Sequence, residues 1–347
     1  NKPLKLIQIG AGNWGSTWVS IVKDSPDWEL VALVDKDKNA LEAVSKAGKV
    51  GPNMVFQNLG DALKAVDADA ALVAVPPEIH ASVAVEAMDR GLHCLSEKPI
   101  AGNVEDAKAM VESASKNGRM LMVSQNYRFK RAPQTVKTLV DSGLVGKIGS
   151  VFVNFQKAPP FSGFRTEMEA PLITDMAIHH FDQMRGILGL EPVRVTARSW
   201  NPEWSWFKGD ASATVIFEMR GGGVVVYSGS WVTRSWTTTW DGEWRIQSDG
   251  GEIHWHNNRV HFTPSNVFVS VFVHGAQERE GTMDVELVDL PAEDRWASLH
   301  EFASAIHEER EPVTSGADNL RTLAMVLAAR KSAKEDRPVE IDEVLDG

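Results

Sequence analysis

The sequence predicts an α/β chain, a doubly wound parallel sheet followed by an α+β domain built on a large, mostly antiparallel open sheet. Three observations predict it. Over about 4–124, short apolar runs alternate with stretches of helical period, the pattern of strands covered on both faces by crossover helices. A glycine-rich hexapeptide stands where the first apolar run meets the first helical stretch. After Gly146 the pattern changes to short strands punctuated by turns.

Taken in order, the first half offers strands at 4–9, 30–35, 70–75, 92–96 and 120–123. Helices at 14–23, 39–46, 61–65, 79–90 and 104–116 separate them, each with apolar residues three and four apart. A helix at 132–142 ends at Gly143 and leads into the second half. There, strands are expected at 149–155, 211–219, 223–230, 243–247 and 267–272, with Gly221, Gly222 and Gly223 as a tight connection. Helices are expected at 173–188, 294–308 and 317–333. The division is a dinucleotide-binding domain over 1–125 and a substrate-binding and oligomerisation domain over 126–347, whose last helices are free to pack back on the first.

The chain has 347 residues, 43% apolar and 24% charged, with a net charge of −11. Its length suits two domains, and its composition excludes disorder as the main state. No segment concentrates basic residues, so a nucleic-acid partner is not expected. The single cysteine, Cys94, cannot form an intrachain disulfide and reads as core filler, which fits a reducing, cytoplasmic compartment. No apolar run approaches the roughly 18 residues needed to span a bilayer, so no membrane partner is expected. The opening Asn-Lys-Pro-Leu resembles neither signal nor transit peptide, and the missing initiator Met leaves a removed leader open.

Gly10-Ala11-Gly12-Asn13-Trp14-Gly15 is G-x-G-x-x-G between a strand and a helix. In that setting Gly10 allows the tight turn, Gly12 lets backbone approach a pyrophosphate, and Gly15 lets helix and strand pack closely. The intervening Asn13 and Trp14 stand beside the anion at the helix N-terminus. Asp35 closes the second strand, where such (Rossmann) folds accept hydrogen bonds from the adenosine ribose. Its charge opposes a 2′-phosphate, so NAD is expected over NADP, although Lys36 and Lys38 leave NADP open. Val75 closes the strand at 70–75 and Pro76 and His80 follow it, all three expected at the cofactor on its nicotinamide side.

Two further segments carry chemistry. Glu97-Lys98-Pro99 lies just past the strand at 92–96, and ligands of open α/β sheets sit outside the carboxyl ends of the strands. Asp175 and His179 are four apart, hence on one helical face. Glu97 reads as structural, a carboxylate that sets the turn before Pro99. No metal is expected: His179 and His180 diverge on a helix, and His254-x-His256 has no evident acidic partner nearby. Eight of the 12 tryptophans fall within 200–255, suited to a sheet core or a subunit interface, with sugar stacking as the alternative.

These residues resemble the glucose-fructose oxidoreductase, inositol dehydrogenase and rhizopine-catabolism family, written Gfo/Idh/MocA, over nearly the whole chain. The likeness runs through the glycine motif, Asp35, Val75-Pro76-Pro77 with His80, and Arg90-Gly91-Leu92-His93 into Glu97-Lys98-Pro99. It continues through Tyr127-Arg128-Phe129, Asp175-x-x-x-His179-x-x-Asp182 and the tail from Phe302 to Ala333. The resemblance implies that Lys98 is the active-site lysine, Asp175 a substrate-binding acid and His179 an acid/base histidine. Phe164-Arg165 resembles a Trp-Arg pair that lies near nicotinamide and substrate, and substrate specificity is expected from the loops around Arg128, 161–168 and 200–207. Glu169-Ala170-Pro171 replaces the usual glycine-rich turn and Ala177 a common Gly, changes that bear on pocket shape.

The implied reaction moves a hydride between a secondary alcohol of a sugar, polyol or inositol and nicotinamide. His179, of the residue type that titrates nearest neutrality, would exchange the hydroxyl proton while the Lys98 ammonium hydrogen-bonds the reacting oxygen, with the exchange of these two roles as the alternative. The alternatives are an NAD-dependent redox-elimination glycosidase and a non-catalytic NAD-binding regulatory protein. A homodimer or homotetramer through the second domain's sheet is the expected assembly.

Overall fold

The computed structural model describes residues 2–265 and 281–346, so the strand expected at 267–272 lies outside the described residues. The chain forms two compact units, Asn1–Phe129 with Pro291–Leu323, and Lys130–Leu290 with Ala324–Gly347.

The first unit holds a six-stranded sheet: β1 (Leu4–Ile9), β2 (Trp28–Val34), β3 (Val55–Phe56), β4 (Ala70–Val73), β5 (His93–Ser96) and β6 (Leu121–Val123). Their order is β3-β2-β1-β4-β5-β6, and all pairs are parallel. Order reverses between β1 and β4, the switch point where doubly wound sheets open a crevice at their carboxyl ends. Leu6, Ile7, Leu33, Leu72, Val73 and Leu95 are fully buried, as strands with both faces covered require. The covering helices are α1 (Gly15–Asp24), α2 (Lys38–Lys46), α3 (Leu59–Ala65), α4 (His80–Asp89) and α5 (Val104–Asn117). Local chemistry sets their ends: Asn103 accepts from the Asp106 N–H at 2.8 Å to start α5, and Gly118 stops it at φ +60°.

In the second unit α6 (Arg131–Asp141) precedes a sheet with nine strands among the described residues. Its strands are β7 (Ile148–Gln156), β8 (Pro192–Trp200), β9 (Ser212–Met219), β10 (Val224–Ser230), β11 (Glu243–Ser248), β12 (Gly251–His256), β13 (Arg259–Pro264), β14 (Met283–Val285) and β15 (Val339–Glu340). They are ordered β14-β13-β12-β11-β7-β10-β9-β8-β15, antiparallel throughout except for β7 beside β10. Gly221 and Gly222, both at positive φ, turn β9 into β10. The remaining helices are α7 (Phe164–Glu167), α8 (Ile178–Gly186), α9 (Asp294–Glu308), α10 (Gly316–Glu335) and α11 (Ile341–Leu345), with α9 in the first unit.

The sequence misses β3, β8, β12, β13, β14 and β15. Two residues suffice for β3 and β15, and β8 opens on Pro192, a residue that argues against a strand. The single helix expected at 173–188 is corrected: Leu172–Ala177 is a π-helical turn, and α8 follows it. Apolar spacing distinguishes helix from strand but not a widened turn from an α-helical one.

Candidate functional site

The turn after β1 is built as a cradle in the first unit. Gly10 has φ +110°, and a Cβ on it would stand 2.3 Å from the Ala74 carbonyl oxygen. A Cβ on Gly15 would stand 2.3 Å from the Gly10 oxygen, so glycine is required at both. Gly12 has nothing within 4 Å of a built Cβ and offers open backbone. Gln8, a polar residue inside an apolar strand, fixes the turn from below by donating through Nε2 to the Gly10 and Gly15 carbonyls at 2.9 and 2.8 Å. Its position in the run signals that role, which the sequence reading passed over. No side chain caps α1, whose 10 residues begin directly after Trp14. Open backbone at Gly12 and an uncapped helix start suit a pyrophosphate, so the residues present fit a dinucleotide.

Asp35 supports the same turn. Its Oδ2 accepts from the Ala11 N–H at 2.7 Å and its Oδ1 from the Asp37 N–H at 2.9 Å, leaving further lone pairs for a sugar hydroxyl. Past β4, Val75 and Pro76 lead into α4. His80 is buried, not half-exposed as a helix-start histidine usually is, and its Nδ1 and Nε2 lie 2.8 and 2.9 Å from the Pro99 and Val75 carbonyl oxygens. Burial pushes its pKa down, against the pull of those two carbonyls and of Glu97 and Glu78. It thus bridges the turns that follow β4 and β5.

The turn after β5 carries Glu97, half-buried Lys98 and Pro99, with a cis Lys98–Pro99 bond. Glu97 is buried: Oε1 accepts from the Trp14 and Trp18 indoles, each at 2.7 Å, and Oε2 from the Lys98 N–H at 3.1 Å. Arg128 is also buried, with Nη2 on Asp318 at 2.6 Å and Nη1 on the Val313 carbonyl at 3.2 Å. This guanidinium fastens the end of the first segment of the unit to its returning segment. Cys94 is buried in β5, where desolvation pushes its thiol up to about 12.

In the second unit Asp175 sits in the π-helical turn, a distortion frequent at functional sites. Arg165 Nε donates to Asp175 Oδ2 at 2.8 Å, and the guanidinium lies over the Phe161 and Phe164 rings at 5.1 and 4.8 Å. Two residues that the sequence places 10 apart thereby become one acid–cation pair. His179, in the first turn of α8, is buried. The adjacent His180 is fully buried against Phe155 and Tyr227, with Nε2 3.0 Å from the Trp240 carbonyl; burial pushes its pKa down to about 3.

The tryptophans of 200–255 divide. Trp231, Trp244 and Trp255 are core, while Trp200, Trp204, Trp206, Trp236 and Trp240 are 39–53% exposed. The expectation that His254 lacks an acidic neighbour is corrected: Glu243 Oε1 is 2.7 Å from His254 Nε2, brought there by the β11–β12 pairing, which residue separation alone conceals. Among the described residues no group of three or more His, Cys, Asp or Glu side chains has the arrangement of a metal site. No helix among them is long and apolar enough to cross a membrane.

Comparison with known proteins agrees with this anatomy. The model of an oxidoreductase family with an NAD-binding Rossmann fold matches residues 4–125, and that of the GFO/IDH/MocA C-terminal domain matches 133–254. The chain is 28% identical to a D-apiose dehydrogenase of Paraburkholderia graminis, over 98% of this chain and 90% of the relative. It is also 28% identical to an inositol 2-dehydrogenase of Rhizobium meliloti, over 96% and 98%. Among solved structures, an oxidoreductase from Agrobacterium radiobacter, crystallised with NAD+, L-tartaric acid and magnesium, shares the fold with a TM-score of 0.86 at 24% identity, over 98% and 99%.

Proposed function

We propose, from the premise that this chain belongs to the Gfo/Idh/MocA family of NAD-binding oxidoreductases, that it oxidises a secondary alcohol of a sugar, polyol or inositol, or reduces the corresponding ketone. The observation that carries this reading is Lys98, two residues beyond β5 in the unit that also holds the glycine cradle. Relatives named for inositol and apiose support the substrate class.

Nicotinamide supplies the hydride chemistry when NAD is bound. The open backbone at Gly12, the start of α1 with Asn13 and Trp14, and Asp35 hold the dinucleotide, with Val75, Pro76, His80 and Glu97 shaping the nicotinamide side. His179 takes the hydroxyl proton as general base. The Lys98 ammonium donates to the reacting oxygen and stabilises its alkoxide character. Asp175, held by Arg165, accepts from a substrate hydroxyl and fixes which carbon reacts. Arg128, engaged with Asp318, acts on substrate only through the shape it gives its segment.

A panel of sugars, inositols and sugar acids, each with NAD and with NADP, tests this reading through absorbance at 340 nm. NADH forms with at least one compound, and NAD is used in preference to NADP. Lys98→Ala and His179→Ala each lower kcat on that compound by about a hundredfold or more, the scale of a lost acid/base group. Turnover near that of the wild type in both variants refutes the assignment. No NADH from any compound refutes the activity.

A further inference from the structure

We propose that Glu97 is a positioning residue, a carboxylate that locks the glycine cradle and the Lys98 turn into one rigid piece through Trp14 and Trp18. The proposal rests on the dehydrogenase reading and adds a coupling between side chains to which that reading gives only separate places at the cofactor.

The geometry is specific. Trp14 is the fifth residue of the glycine hexapeptide and 49% exposed, and Trp18, one helical turn on, is fully buried. Both indole N–H groups converge on the same oxygen, Glu97 Oε1, at 2.7 Å, while Oε2 receives the backbone N–H of Lys98. The Glu97 N–H in turn donates to the Val73 carbonyl at 2.9 Å, which ties the residue to the end of β4. On the indole side, the Arg295 guanidinium lies 4.6 Å from the Trp14 ring centroid and 5.1 Å from that of Trp18, and donates to Thr17 Oγ1 at 2.7 Å. The two indoles are therefore held by a carboxylate at their N–H groups and a cation at their faces.

Hydrogen bonds to an ionised acceptor are stronger and more directional than neutral ones. A carboxylate can serve all three donors at once because it has acceptor sites on both oxygens. An amide cannot: one of its two ends presents N–H, so Glu97→Gln sets donor against donor either at the indoles or at Lys98. A dinucleotide settling on the cradle meets the half-exposed Trp14. A shift of that ring is passed by Glu97 to the Lys98 N–H and to buried Trp18, with Arg295 as a second link between the two indoles.

The test uses full-length protein with 15N-labelled tryptophan, the two indole N–H resonances being assigned by their loss in Trp14→Phe and Trp18→Phe. Addition of NAD moves both resonances in the wild type. In Glu97→Gln the Trp14 resonance still moves and the Trp18 resonance moves less than in the wild type. With a substrate from the panel, Glu97→Gln lowers kcat by about tenfold to a hundredfold, the cost of a misplaced catalytic group, and changes KM for NAD by less than about threefold. Trp14→Phe lowers kcat in the wild type and leaves it unchanged in the Glu97→Gln background, the non-additivity of a shared linkage. A Trp18 resonance indifferent to NAD in the wild type, or additive kinetic effects, overturns the proposal. If Trp14 also ignores NAD, the cofactor reading has failed and the proposal falls with it, an outcome distinguishable from the first.

Discussion

His180 illustrates what burial does to a titratable side chain. The imidazole packs against Phe155 and Tyr227 with ring centroids at 5.0 and 5.5 Å, and Nε2–H donates to the Trp240 carbonyl. Burial first, and the Lys130 charge in addition, push its pKa down to about 3, so the folded chain keeps this ring neutral where an unfolded chain protonates it below about 6.5. Between those values the unfolded state binds more protons, and stability rises with pH until the unfolded value is passed. His180→Gln keeps a donor for Trp240 and removes the titration. Between pH 7 and pH 4.5 the wild type should lose about 2–3 kcal/mol more stability in urea unfolding than this variant. Parallel losses would show that the ring is not confined as a neutral group. Single residues elsewhere were legible in type more than in bonding. Asp35 and Lys98 draw notice because they close or follow a strand, Asp175 and His179 because they are four apart in a helical stretch, and the roles of the last three are what the family resemblance implies. That Asp35 braces Ala11, that Glu97 serves two indoles, or that Arg128 is spent on Asp318, depends on partners 24 to 190 residues away, which no local pattern encodes.

At the scale of elements, the five first-half strands that the sequence foresees overlap β1, β2, β4, β5 and β6 because continuous apolar runs mark strands covered on both faces. Caps such as Asn103 and Gly118 fix helix ends from within a few residues, so these too are legible. The π-helical turn and the strand β8 were not, since one is a widening of hydrogen-bond geometry and the other begins on proline. Helix α9 shows the further limit: its apolar spacing predicts a helix at the right place but not what it covers. Phe302 is fully buried and stacks on Trp28 at 5.4 Å, and the Trp28 indole donates to the Leu299 carbonyl at 2.9 Å. Leu299, Phe302 and Ala303 share one core with Leu6, Trp18 and Leu33, so a segment from late in the chain completes the first unit. Phe302→Ala is therefore expected to cost about 3–5 kcal/mol and to lower the urea midpoint for loss of NADH binding. An unchanged midpoint would mean that the first unit is stable without this contact.

At the scale of the whole molecule, the second unit's sheet carries an argument for self-association. Its strands alternate, with Val151, Val153 and Phe155 of β7 buried on one face and Phe152 50% exposed on the other. Register carries that outward face across the sheet as one lateral row: Thr196, Ile216, Val226, Phe152, Arg245, His254 and His261. The centre of the row is apolar, with Ile216 40% exposed beside Val226 and Phe152, and its flank is cationic or titratable. An exposed apolar strip on an otherwise acidic protein is the kind of surface that a second copy covers by two-fold, face-to-face packing of the same row. The family resemblance anticipates this assembly, but from the sequence alone the strip could not be located, because it exists only once β9, β10 and β7 are in register. Light scattering should give a multiple of 38.1 kDa for the wild type at micromolar concentration. Phe152→Glu, which places a carboxylate at the centre of the strip without touching the buried face, should reduce it to 38.1 kDa while the circular dichroism spectrum is retained. A wild type that is already monomeric, or a Phe152→Glu variant whose mass is unchanged, would remove this face from any role in assembly.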